Sequence, residues 1–294
     1  PLARERGMAA MINLPLAQRG MGLRAVVYGA REAGYIDDPG RDRRDINGGS
    51  NFGLRLIWRI DDVAGWTVGV GGVYQRIRAD DGQYLLRGEP PLERCNSLSQ
   101  PFQNEYHLAY VTARRPMGRG ELVSTSSVAR QDLSTVFDAT GTGATAAPQR
   151  FEEQHDITFW SHETRLSGGG AKTPWVAGIA AIHNVSRVSR WLGPPDAPEQ
   201  IAGVRNRQLE LSLFGQATLP VTRSLHLTMG GRLSMGRGAG RLVGDNSDGP
   251  EETSKRRARF AATVALDWRL SPSLSIYSHY QEGFRAGGFA VAPA

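Results

Sequence analysis

Apolar and polar residues alternate with period two along most of the chain. In Gly53–Arg59, Leu54, Leu56 and Trp58 share one face while Arg55, Ile57 and Arg59 take the other. The next run sets Trp66, Val68, Val70, Gly72 and Tyr74 against Thr67, Gly69, Gly71 and Gln75. Leu209, Leu211, Leu213, Ala217 and Leu219 oppose Glu210, Ser212, Gln216 and Thr218. Leu225, Leu227, Met229 and Leu233 oppose His226, Thr228, Arg232 and Ser234. Phe260, Ala262, Val264, Leu266 and Trp268 oppose Thr263, Asp267 and Arg269. Side chains of a strand point alternately to its two faces, so each run predicts a strand with one apolar environment.

The runs reach roughly 10 to 14 residues, longer than the 5 or 6 usual in globular sheets and enough for a tilted strand to cross hydrocarbon. Connections alternate in length. Short ones are predicted near Ala17–Gly20, Asp61–Gly65, Pro116–Gly120, Gly168–Thr173, Pro220–Arg223 and Ser271–Pro272. Long polar ones are predicted near Tyr35–Gly49, Ala79–Gln103, Leu133–Glu152, Arg190–Asn206 and Gly238–Ser254. About 12 strands result, with short turns at one rim and long loops at the other, the plan of an antiparallel outer-membrane β-barrel. Hydrocarbon offers no partner to backbone N–H and C=O groups, so a spanning sheet must pair every strand and close. Trp66, Trp175, Trp268, Tyr280 and Phe260 fall near strand ends and fit interfacial girdles.

Composition adds limits. Of the 35 basic residues in 294, only Lys172 and Lys255 are lysines, which reads as arginine-rich codon usage. Acidic residues interleave with the basic clusters Arg41–Arg44 and Lys255–Arg257, so nucleic-acid binding is not expected. Cys95 has no partner cysteine, which excludes a disulfide framework. No run approaches the roughly 18 apolar residues of a spanning helix, and no basic-then-apolar leader stands at Pro1.

Enzyme motifs are missing: no H-E-x-x-H, C-x-x-C or G-x-S-x-G occurs, and Gly69-x-Gly71 lies within a strand. The six histidines are dispersed, so neither a metal site nor a cofactor is expected. Ser161 and His162 are adjacent in a strand and therefore point to opposite faces, which excludes a nucleophile–base pair between them.

Several segments are familiar in sequence. Gly34–Asp37 with Asp45–Asn47, Glu163–Ser167, the Leu213–Thr218 and Leu227–Arg232 hairpin, and Ile276–Phe289 resemble, in order, barrel segments of TonB-dependent outer-membrane receptors. The resemblance implies a 22-stranded barrel closed by a plug. On that basis residues 1–294 are expected to form an internal part of the barrel domain, with the plug, the TonB box and the C-terminal strands absent. It further implies active import of a large scarce solute, foremost a ferric siderophore, into a Gram-negative bacterium. The implied partners are outer-membrane lipid and, through the plug, the TonB–ExbB–ExbD complex. A passive porin and a soluble all-β binding module are the alternatives.

Candidate ligand contacts follow from position. Arg41 and Arg43 lie in an arginine-bearing loop suited to an anionic chelate. Tyr84, Phe102, Phe137 and Trp191 are aromatics of the long connections. Glu163 and Arg165 share the face opposite Trp160 and Leu166, the expected lumen, where a mutual ion pair competes with a ligand role.

Overall fold

The computed structural model describes residues 5–16, 20–85, 87–141, 146–243 and 253–284. Twelve strands form one sheet in chain order, every consecutive pair antiparallel. They are β1 (Glu5–Leu16), β2 (Met21–Glu32), β3 (Gly49–Val63), β4 (Trp66–Ala79), β5 (Phe102–Met117) and β6 (Gly120–Asp138), followed by β7 (Arg150–Gly168), β8 (Trp175–Gly193), β9 (Glu199–Pro220), β10 (Leu225–Leu242), β11 (Thr253–Ser271) and β12 (Leu274–Gln281). β1 and β12 pair on one side only, so the sheet is open among the described residues. No helix among them is long and apolar enough to cross a membrane. The Ala17–Arg19 part of the first predicted turn and Arg285–Phe289 of the last familiar segment lie outside the described residues. So do parts of the predicted loops Leu133–Glu152 and Gly238–Ser254.

Register carries the alternation from strand to strand. Leu14, Leu23, Trp58, Val70 and Val111 are successive cross-strand partners over β1 to β5. Ile179, Leu213, Leu233 and Phe260 continue the same face over β8 to β11. These side chains are solvent-exposed: Leu213 is 59% and Phe260 65% accessible. A band of exposed apolar residues is favourable only against another apolar phase, which for the expected barrel is lipid. Trp66, Trp175 and Trp268 sit on this outer face near the short turns, while Phe52, Tyr74 and His107 cluster toward the long-loop end.

One polar patch interrupts the band. Ser126 Oγ lies 2.8 Å from His162 Nδ1, Thr164 Oγ1 3.0 Å from His162 Nε2, and Ser124 Oγ 2.9 Å from Thr164 Oγ1. The groups satisfy one another, which makes them tolerable beside hydrocarbon. Ser161 faces the other way and bonds Ser127.

The inner face is polar and close-fitted. Thr112–Thr125, Ser212–Ser234 and Thr218–Thr228 hydroxyl pairs bridge neighbouring strands at 3.1, 2.8 and 2.8 Å. The Tyr28 and Tyr110 rings lie over Gly53 and Gly71, where any Cβ would overlap them.

Strand lengths correct the expected 10 to 14 residues. β6, β7, β8 and β11 have 19 each, β10 has 18 and β9 has 22. The predicted Arg190–Asn206 loop shrinks to 194–198, and β6 runs to Asp138 before turning. Where both faces of a strand meet water, alternation fades while the hydrogen-bonded ladder continues. Phe102, Phe137 and Trp191 are therefore strand residues rather than loop residues.

Candidate functional site

The long-loop end of β2 to β6 is held by a buried ionic clamp. The chain between β2 and β3 turns through a short 3-10 helix at Pro39–Arg41, with Asp38 accepting from the Arg41 backbone N–H at its start. Arg41 Nε donates to Asp38 Oδ2 at 2.7 Å, and Arg41 Nη2 donates to Asp81 Oδ2, also at 2.7 Å, in the connection between β4 and β5. Arg94 pairs with the other Asp81 oxygen and donates to the Gly82 and Tyr84 carbonyls at 2.9 and 3.2 Å. Asp38, Asp81 and Arg94 are fully buried. Burial works against the Arg41 charge, but hydrogen bonds to Asp81 and Asp38 outweigh it and hold the guanidinium above the ordinary arginine range. Backbone bonds between Asp37 and Leu92, and between Arg94 and Asp37, both 2.9 Å, tie the same loops together. Asn47 Oδ1 accepts from the Tyr35 and Ile36 amides at 2.8 Å each, closing the loop core around Ile36.

The clamp positions Tyr84. The Arg94 guanidinium lies 4.8 Å from the centre of its ring, and the Tyr84 hydroxyl donates to Gln100 Oε1 at 2.6 Å. Tyr84 thus overhangs a hollow of about 440 Å³ whose walls include Asn51, Ile77, Phe102 and Phe137. By register these wall residues lie on the inner face, opposite the apolar band. Phe151, 6.1 Å from Phe137 between ring centres, extends the aromatic surface. The hollow has the size and the mixed apolar and polar lining of a small-molecule site.

The structure thus brings Tyr84, Phe102 and Phe137 together from three separate stretches. Arg41 is committed to the clamp. The Arg43 side chain is exposed, while its backbone pairs with that of Asp38. Glu163 and Arg165 sit on the inner face of β7, 3.1 Å apart. Trp191 shares the outer face with its partner Glu152, away from the hollow.

Other inner-face charges were not singled out from the sequence. Glu153 accepts from Arg190 at 2.6 Å and meets His155 at 2.8 Å, at the level of the hollow, where Thr135 is the register partner of both Phe102 and Glu153. Glu210 lies 3.5 Å from Arg232 deeper in the wall. The spacing of Glu153 and His155 places them on one face; Arg190 joins them only through the register of β7 with β8. Among the described residues no group of three or more His, Cys, Asp or Glu could hold a metal ion.

Residues 13–294 match the family model for TonB dependent receptor-like β-barrels. No curated protein matches the chain by sequence. Among solved structures, the ferric yersiniabactin uptake receptor FyuA of Yersinia pestis is 13% identical with a TM-score of 0.81, covering 99% of this chain and 48% of its own. The ferric citrate transporter FecA is 11% identical with a TM-score of 0.76, covering 94% and 41%. The ferripyoverdine receptor of the Pseudomonas aeruginosa outer membrane is 15% identical with a TM-score of 0.72, also covering 94% and 41%. The chain spans less than half the length of these receptors.

Proposed function

Because this chain belongs to the TonB-dependent receptor-like β-barrel family, we propose that it forms part of the barrel wall and extracellular mouth of an outer-membrane receptor. The receptor imports a large scarce solute, a ferric siderophore first among the candidates. The wall is a rigid conduit and the mouth supplies affinity; energy comes from the TonB–ExbB–ExbD complex acting on a plug domain outside residues 1–294. The open sheet, with β1 and β12 each paired on one side, fits a wall continued by further strands.

One observation carries the reading. The aromatic hollow faces the lumen at the long-loop end, where an arriving solute first meets the wall. Tyr84, Phe102 and Phe137 provide apolar contact, while the clamp fixes the overhang in advance, so little ordering is lost on binding. Arg43 stands exposed nearby in sequence to the clamp as a charge for an anionic chelate, and Glu163 with Arg165 lines the conduit below.

Uptake of radio-iron from ferric hydroxamate, ferric catecholate and ferric citrate chelates tests this in cells with and without the intact gene. Uptake of one class is expected to depend on the gene. In the intact receptor, Phe102→Ala with Phe137→Ala is expected to weaken binding of that chelate about tenfold or more, the scale of losing two buried aromatic contacts. If no class depends on the gene, or the double variant binds equally well, the reading is wrong.

A further inference from the structure

The apolar band of the outer face is built in two ways. The row that contains His162 of β7 continues through Ala181 of β8 to Leu211 of β9 and Met235 of β10. On the β6 side the same row holds Ser126, and the next holds Ser124 and Thr164. Large apolar side chains on β9 and β10 thus give way to small and polar ones over β6 to β8. His162 stands midway along β7 between Gly168, at the short-turn end, and the charged Asp156. An ionisable side chain at the middle of a spanning segment is costly and ordinarily faces protein or water rather than lipid.

The patch is bonded within the protomer without being exhausted. Three hydrogen bonds join four groups, Ser126 to His162, His162 to Thr164 and Thr164 to Ser124. Three hydroxyls and a neutral imidazole bring one donor hydrogen each, so in either histidine tautomer one hydroxyl hydrogen is left over. Lipid tails offer it no acceptor. A second protein surface with free hydroxyl lone pairs does. Within a bilayer, association is driven by such bonds and by close approach over small residues, because lipid is as apolar as the side chains.

The charges of the same strands point to what that surface is. A register row toward the long-loop end reads Asp132, Asp156, Arg187 and Arg205 over β6 to β9. Its sign changes between β7 and β8. Asp132 is held by Arg130 at 3.1 Å, which leaves Asp156 as the acid at the boundary, in one hollow with Arg187 and Arg205. A two-fold axis along the membrane normal at this boundary brings Asp156 of one protomer toward Arg187 of the other. The same operation lays patch on patch. An interface of this kind is closed and self-complementary.

We propose that the outer face of β6 to β8 is a lateral interface with a second copy of this chain, the His162 patch lying at the two-fold axis and Asp156 of each protomer reaching Arg187 of the other. The inference rests on the outer-membrane barrel reading given under Proposed function.

The test uses the intact receptor with Cys95→Ser as background, both in isolated outer membranes and purified in mild detergent. Light scattering is expected to give the wild-type protein the mass of two receptors. In membranes a short bis-maleimide is expected to link Ala181→Cys, beside the patch, into a receptor pair, and to link Met229→Cys on the apolar face of β10 about tenfold less. His162→Leu with Thr164→Val makes the band uniformly apolar and so spares the barrel. That variant is expected to raise the dimer dissociation constant about tenfold, the scale of losing a hydrogen-bonded contact on both sides of the axis. Asp156→Arg and Arg187→Asp are each expected to weaken the pair, and both together in one chain to restore it, a recovery that damage to either strand does not produce. A monomeric wild-type mass, equal linkage at Met229→Cys, wild-type pairing in the His162 and Thr164 variant, no recovery in the double reversal, or linkage of Ala181→Cys only to a different protein would overturn the inference. The shift in gel mobility between heated and unheated barrel confirms that each variant is folded. Radio-iron uptake keeps the two proposals apart: a pair that persists where no chelate depends on the gene leaves this inference standing, and a monomer with uptake intact leaves the other. Release of the wild-type receptor from membranes by carbonate would overturn both.

Discussion

The wall from β2 to β5 and the wall from β6 to β11 reach the outside in different ways. In the first, strands of 12 to 16 residues stop early and hand over to the loops 33–48 and 80–101, which fold on each other around buried charges. In the second, strands of 18 to 22 residues simply continue, and β8 joins β9 through residues 194–198 alone. Loops have no ladder of their own, so the first mouth needs a core, and Asp38, Arg41, Asp81 and Arg94 supply one together with Ile36 and Asn47. Extended strands satisfy their backbone by pairing, so the second mouth needs only compatible surface residues. The first is thereby made sensitive to single side chains and the second tolerant of them.

The largest expected effect follows from breaking the clamp. Asp81→Ala leaves the buried Arg94 without its carboxylate and frees Arg41 from its link to the other loop. Removing one partner of a buried pair costs about 3–5 kcal/mol, enough to open both loops locally. Hydrogen exchange on the intact receptor is expected to show 33–48 and 80–101 losing protection together while β7 to β10 keep theirs. Unchanged protection in the loops would mean that the clamp is not what holds them. Because Tyr84 is fixed through Arg94, the same variant is expected to bind ferric chelate more weakly than wild type.

A smaller effect tests the seam between the two constructions. Asp138, the last residue of β6, accepts from the Ser97 and Leu98 amides at 2.6 and 3.1 Å and from the Thr140 amide at 3.0 Å. Partial burial pushes its carboxyl up, but these hydrogen bonds outweigh burial and hold it below the usual aspartate range. A carboxylate with a depressed folded-state pKa stabilises fully above its ordinary unfolded value, and that contribution is lost as pH falls through the folded value. Exchange protection at Ser97 and Leu98, corrected for intrinsic rate, is therefore expected to hold from neutral pH to about 4 and to fall below it. Asp138→Asn is expected to cost about 1–3 kcal/mol locally at neutral pH and to abolish that pH dependence. A variant retaining the wild-type profile would assign the titration to another group.

The sequence displayed the membrane-crossing part of this wall plainly and its outer part poorly, and lipid is the reason. Where one face meets hydrocarbon, as at Leu209 to Leu213 or Val68 to Val70, selection on side chains writes the period directly. At Arg190 to Asn206 both faces tolerate polar residues, so a strand pair that continues through an irregularity at Arg190 and Trp191 to the short 194–198 connection read as a loop. Phe102 and Phe137 were legible as aromatics of the long connections, but their place on strands and their meeting under Tyr84 depend on register across β5 and β6 and on a loop overhang. The clamp left no local signature, because Asp38, Asp81 and Arg94 come from two distant loops and each looks like an ordinary surface charge. Glu163 and Arg165 were readable as a same-face pair because one strand contains both.

The smallest expected effect probes the extended half in its own terms. Arg190 Nε donates to Glu153 Oε2 at 2.6 Å, and His155 meets the other oxygen of the same carboxylate. Deep in a loop core such a group is expected to matter far more, as for the buried Arg94. Here the Arg190 side chain is 36% accessible, and the strands carrying it are joined by an uninterrupted ladder from Arg150–Gly193 to Gly168–Trp175. Water screens the ion pair, and the backbone holds β7 against β8 without it. Arg190→Gln is therefore expected to shift unfolding of the intact receptor by about 1 kcal/mol or less, with exchange protection along β7 and β8 unchanged. Fraying of β7 and β8 beyond Glu153 in that variant would show that side-chain pairs, rather than strand pairing, hold up this side of the mouth. The distinction between the two constructions would then fail where it is most directly exposed.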